Sequence, residues 1–141
     1  MKIIKIQTLE KGWCDKDHVL LHAAFQLLVD YVEQEKPQNV DWTWNREPRH
    51  AWAEIRSLYR WWKKTRPKRK DPLMRRGLKR PPWRLKKIPG SELLQRVDYD
   101  KKKYAAYEAA SKASLRLDWE WLKEDQRNLH RLIEIRPFLW T

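Results

Sequence analysis

The chain has 141 residues, three glycines, one cysteine, ten tryptophans and a net charge of +13. That length bounds it to one domain, or one domain with an arm. Scarce glycine argues against a turn-rich β fold and a glycine-rich phosphate loop, and the lone Cys14 excludes an internal disulfide framework.

The start, Met1-Lys2-Ile3-Ile4-Lys5-Ile6, turns polar too soon for a signal peptide, and no apolar run approaches the ~18 residues of a membrane span. The expectation is a cytoplasmic protein with no membrane partner. Residues 1–12 alternate, Ile4 and Ile6 against Lys5 and Gln7, over a span too short to separate an edge strand from an ordered tail.

Residues 15–36 predict a helix. Asp15 stands at its N-cap and Asp17 in its first turn. Leu21, Phe25, Leu28 and Val32 form its apolar stripe, and Leu20, Ala24, Leu27 and Tyr31 widen that face. Pro37 stops it. A loop over 37–47 carries Asp41-Trp42-Thr43-Trp44. A second helix starts near Glu47-Pro48 and ends at Arg66-Pro67. Its buried stripe is Trp52, Ile55, Tyr59 and Trp62, with Ala51 and Leu58 beside it, so Trp61 falls ~100° off the stripe.

Residues 63–89 hold almost all the net charge: thirteen Lys or Arg against the single Asp71, a net +12. Five prolines (Pro67, Pro72, Pro81, Pro82 and Pro89) exclude a long regular helix. Leu73, Met74, Leu78, Trp83, Leu85 and Ile88 make this strap an arm that docks rather than a plain linker.

Residues 91–135 hold no Pro or Gly, and Ser91 follows Pro89-Gly90 as a candidate N-cap. From about residue 100 the pattern is helical. Tyr104, Tyr107, Ser111, Leu115, Leu122, Leu129 and Ile133 line one seam. A helix of 35–45 residues would be roughly 50–65 Å long. Pro137 ends it, and Phe138-Leu139-Trp140 should tuck back. The expected fold is all-α: residues 1–62 form two antiparallel helices, 63–89 a basic Pro-rich crossover, and 90–141 a long C-terminal helix completing one domain.

The strap is the candidate site. Lys63, Lys64, Arg66, Lys68, Arg69, Lys70, Arg75, Arg76, Lys79, Arg80, Arg84, Lys86 and Lys87 would neutralise phosphates, and Trp83 among them would stack on a base. An acidic protein surface and a solvated loop without a fixed ligand are the alternatives. There is no zinc-finger spacing and no RNP aromatic motif. The ~10-residue loop between the first two helices exceeds the usual helix-turn-helix connection.

Other constellations point less far. His18 and His22 share a helix face at i, i+4, but a metal site needs further ligands, and only His130, Asp30, Glu33 or Cys14 are on offer. The single Glu47-x-x-His50 lacks the second pair that a ferritin-like site requires. Cys14 near His18 lacks an oxyanion loop. No enzyme activity, metal or cofactor is therefore expected. Asp-Trp-x-Trp occurs at 41–44 and again at 118–121; one of Trp119 and Trp121 is hard to bury, which suits an interface.

The pieces Gly12-Trp13-Cys14-Asp15-Lys16-Asp17, Leu20-Leu21-His22-Ala23-Ala24-Phe25, Val29-Asp30-Tyr31-Val32-Glu33-Gln34-Glu35-Lys36-Pro37, Leu58-Tyr59-Arg60-Trp61-Trp62-Lys63 and Ile133-Glu134-Ile135-Arg136-Pro137-Phe138-Leu139-Trp140-Thr141 resemble a set of small proteins, of no established activity, encoded by tailed bacteriophages. The resemblance covers most of the body but not the strap. It implies a viral gene acting in the bacterial host cytoplasm and carries over no residues. The expected function is a non-enzymatic accessory protein whose strap engages nucleic acid or a ribonucleoprotein. An inhibitor or adaptor that meets a host protein through Trp and Tyr surfaces, and a virion component, are the alternatives; a homo-oligomer stays open.

Overall fold

The structure, a computed structural model, describes residues 4–140. It is mostly helical: α1 (Lys16–Gln34), α2 (Arg46–Arg60) and the long α3 (Ala105–Glu134). A small antiparallel hairpin, β1 (Leu85–Lys87) and β2 (Leu94–Arg96), was not expected. The chain divides into two compact units. One comprises the residues up to Arg69 together with those from Leu122 onward; the other is Lys70–Trp121.

The core of the first unit centres on Phe25, Leu28, Ile55 and Leu58. The expected stripe of α1 is buried at Leu21, Phe25 and Leu28, with Val32 packed beside them, but the flank that widens it differs from the expected one. Leu20 and Leu27 are exposed, whereas His22, Gln26 and Val29 are buried. The chain before the helix explains this. Gln7 N–H donates to Gln26 Oε1 at 3.0 Å, and Thr8 Oγ1 lies 2.7 Å from His22 Nδ1. Residues 4–15 are therefore an ordered cover rather than a strand, and they supply partners that buried polar groups need. Asp15 occupies the N-cap position, but its side chain caps nothing. Lys36 takes a left-handed conformation at φ 50° and leads into Pro37, whose carbonyl accepts from Trp42 Nε1 at 2.7 Å. Trp42 also stacks on Trp52, with centroids 5.5 Å apart.

Asn45 caps α2 by accepting from Arg46 N–H. Helical winding continues past Arg60 but changes pitch: residues 61–65 form a π turn, with Arg66 N–H bonded to Trp61 O, and Arg66–Lys68 a 3₁₀ turn. Pro67 gives the reason. It has no N–H for the Lys63 carbonyl, and its ring crowds that carbonyl, so regular α geometry cannot run through it. The wider turn reduces the angular step between neighbours. Trp61 and Trp62 are consequently both buried, and both pack on Phe25, at 5.3 Å and 4.5 Å between centroids. The expectation that Trp61 points away from the core is corrected.

α3 begins later than expected because residues 91–104 are already committed. Ser91 caps no helix; its Oγ accepts from Leu93 N–H inside the hairpin turn, where Gly90 sits at φ +75°. Asp100 then accepts from Lys102 and Lys103 N–H in the turn before α3. The helix is about 45 Å long. Its expected seam is also rotated: Leu115, Leu122 and Ile133 are exposed, and Asn128, Leu132 and Ile135 are buried instead. Arg131 locks this register in the first unit. It donates to both Glu54 oxygens, to Ser57 Oγ and to Asn128 Oδ1. Phe138 and Leu139 pack back on the core as expected, while Trp140 stays exposed.

Candidate nucleic-acid interface

The first third of the strap belongs to the body. Lys63 pairs with Glu33 at 3.0 Å; this bond, with a second from Tyr59 Oη, holds the Glu33 carboxyl below its usual range. Arg66 Nε and Nη2 donate to the two oxygens of Asp125, each at 3.1 Å, and its guanidinium lies 4.8 Å over Trp62. Arg69 reaches Asp125 at 2.8 Å, also bonds Glu124, and lies over Trp61. Burial alone would raise the Asp125 carboxyl, but the two guanidiniums overcome it and hold the group below the carboxylate norm. Lys63, Arg66 and Arg69 therefore spend their charge inside the first unit. Lys64 and Lys68 are exposed in the same unit.

The rest of the strap lies in the second unit, which carries fourteen Lys or Arg against seven acids. Asp71 Oδ1 accepts from Leu73 N–H and opens a short 3₁₀ turn, Pro72–Met74. The chain then reverses through Arg75 and Leu78 with Gly77 at φ +78°, and Arg80 Nη2 ties the turn by donating to Leu73 O. Lys70, Arg75, Arg76, Lys79, Arg84 and Lys86 are exposed, and none has an acidic partner among the described residues. Lys87 makes an exposed 2.9 Å pair with Glu92.

The hairpin orders the end of the strap. Leu85 faces Arg96, Lys86 faces Gln95 and Lys87 faces Leu94, while Val97 N–H donates to Arg84 O. Strand alternation puts Leu85 and Lys87 on the Arg96 side and Arg84 and Lys86 on the other. Trp83 joins the first set: the Arg96 guanidinium lies 4.6 Å over its ring. The same guanidinium lies 5.1 Å over Tyr99, so one Arg96 side chain contacts two aromatic rings. Tyr99 is held in turn by its hydroxyl bond to Glu108, which raises the phenol, and by edge contacts with Tyr104 and Tyr107. Trp83 is nonetheless 71% exposed.

Arg96 and Tyr99 are the residues against Trp83 that sequence reasoning passed over. Neither lies in the charge run. Only the hairpin register brings them under Trp83, and strands of three residues are too short to show a two-residue period.

The rings of His18 and His22 are 4.4 Å apart, but His22 is buried against Trp62. Burial first, then Arg66 and His18, lower its pKa to about 4, so it is neutral near pH 7. Among the described residues no three His, Cys, Asp or Glu side chains gather as a metal site would require. Cys14 is half-buried, with Sγ 3.8 Å from Glu10 O. In each Asp-Trp-x-Trp one indole is strongly exposed: Trp44 and Trp119. Among the described residues no helix is long and apolar enough to cross a membrane. No protein-family model, no curated protein and no solved structure matches the chain.

Proposed function

We propose that this protein is a non-enzymatic nucleic-acid-binding protein that works through residues 70–87. The observation that carries the reading is the set of exposed cations without acidic partners there: Lys70, Arg75, Arg76, Lys79, Arg84 and Lys86. In the first unit, by contrast, Arg66, Arg69 and Arg131 are paired with carboxylates. Clustered like charge repels itself, and a bound polyanion offsets that repulsion. Phosphate is the polyanion that also suits an exposed indole within the cluster. The resemblance to small tailed-phage proteins would place this activity in an infected bacterial cell; that part rests on the sequence pieces alone.

The test reverses Arg75, Arg76 and Lys79 to Glu. None of the three makes a contact that holds the fold, so circular dichroism and melting should be unchanged. Binding of a labelled oligonucleotide at low salt should be lost. Undiminished binding would sink the reading.

A second reading, an adaptor for a host protein, draws on a different observation. Trp13, Trp44, Trp119 and Trp140 are all more than half exposed, and tryptophan is the residue most often found at interface hot spots. Capture of a protein from nuclease-treated lysate by the triple Glu variant would favour it.

A further inference from the structure

We infer that the open face of Trp83 is a stacking platform for an unpaired nucleobase, so that the ligand of this surface is single-stranded; this rests on the nucleic-acid reading above. Three observations carry it. First, one face of the Trp83 indole is already covered by the Arg96 guanidinium at 4.6 Å, yet the side chain is 71% exposed. The exposed area is therefore the opposite face and the ring edges. Second, the indole does not hang freely. Arg96 contacts both Trp83 and Tyr99, and Tyr99 is fixed by Glu108 at the start of α3. Arg96 thus backs the Trp83 ring while the rest of the indole stays exposed. Third, the Arg96 Nε atom is buried without a hydrogen-bond partner, which marks the guanidinium as held by its ring contacts rather than by an acid.

A bare aromatic plane in a cationic setting accepts the face of a base. In a duplex both faces of every internal base are covered by neighbours, and only the edges show in the grooves. A single strand, a loop or a frayed end offers faces. Lys87 lies on the same side of the hairpin as Trp83, and its exposed pair with Glu92 is one that a flanking phosphate can replace. Arg96 acts as a positioning residue: it keeps the indole in plane and places a positive charge one layer behind the base. Fixing the ring before binding lowers the ordering cost that a free surface tryptophan would incur.

The test uses the full-length protein and four labelled probes: a 12-nucleotide single-stranded DNA, the same length of RNA, a DNA of that length with abasic sites in place of its bases, and a closed duplex hairpin. The single strands should bind about five- to 150-fold more tightly than the abasic strand, the range expected for stacking one base. Trp83→Leu should remove that preference while leaving abasic binding and the salt slope unchanged. Trp83→Phe should keep part of it. Arg96→Gln should reduce the ratio of natural to abasic affinity, a readout that a mere loss of hairpin stability would not move selectively. Equal affinity for natural and abasic strands, or tighter binding of the closed duplex, would overturn the platform and leave phosphate binding intact. DNA and RNA binding alike would show that the base face, not the sugar, is recognised. Absence of binding to all four probes would overturn both this inference and the reading beneath it.

Discussion

At Asp125 one carboxylate serves two guanidiniums, and all three groups are mostly buried, at 14% exposure for Asp125, 19% for Arg66 and 15% for Arg69. Each guanidinium also covers a tryptophan, so charge and packing fix the same residues. Those tryptophans carry the first prediction. Trp61→Ala and Trp62→Ala should each destabilise by about 3–5 kcal/mol in chemical denaturation, because both indoles pack on Phe25. A Trp61 cost near zero would mean that the π turn does not form in solution. His22 carries the second. Its folded pKa, about 4, lies below the unfolded value near 6.5. The unfolded chain then binds the proton more readily, so stability is full above pH 6.5 and falls as the pH drops towards 4. The loss attributable to this group is roughly 2–3 kcal/mol. His22→Phe, which keeps the ring contact with Trp62, should flatten the stability profile between pH 6.5 and 4. An unchanged slope would assign it to carboxylates such as Asp125 instead.

On the scale of elements, the strap is two things joined end to end. Its first residues finish α2: Arg66 and Arg69 reach Asp125, and Pro67 forces the π turn that seats Trp61. Its later residues form the tied turn at 72–80 and β1. A Gly/Ser replacement of residues 71–89 should therefore leave cooperative melting of the first unit intact, since that core lies within residues 21–62 and 128–139. Extending the replacement back to residue 66 should lower the melting temperature sharply, by loss of the Asp125 pairs. If both replacements melt alike, the ion pairs do not contribute. The helices were legible in the sequence because Phe25, Leu28, Ile55 and Leu58 repeat at helical spacing and Pro37 and Pro67 bound them. The faces were less legible. Leu115, Leu122 and Ile133 outrank Asn128 in hydrophobicity, yet Asn128 is buried because Arg131 bonds it while gripping Glu54. That arrangement depends on a partner 77 residues away, which no local period records. Gln26 and His22 were hidden for the same reason, since Gln7 and Thr8 satisfy them.

Across the whole molecule, the sequence showed where the positive charge lies but not which of it is already used. Of the thirteen strap cations singled out, Lys63, Arg66 and Arg69 are engaged inside the first unit, while Lys70, Arg75, Arg76, Lys79, Arg84 and Lys86 are exposed in the second, which also holds Trp83 with Arg96 over its ring. Pairing of this kind follows from tertiary contact, so composition cannot separate structural arginines from binding ones. The central claim is that the remaining cations meet phosphate. Its most direct measurement is the affinity for a labelled oligonucleotide across a series of salt concentrations. If about six phosphates are neutralised, log K against log salt should slope at roughly −4 to −5, and the Arg75, Arg76 and Lys79 reversal should flatten it. A slope near zero, or no binding to DNA or RNA at low salt, would contradict the account.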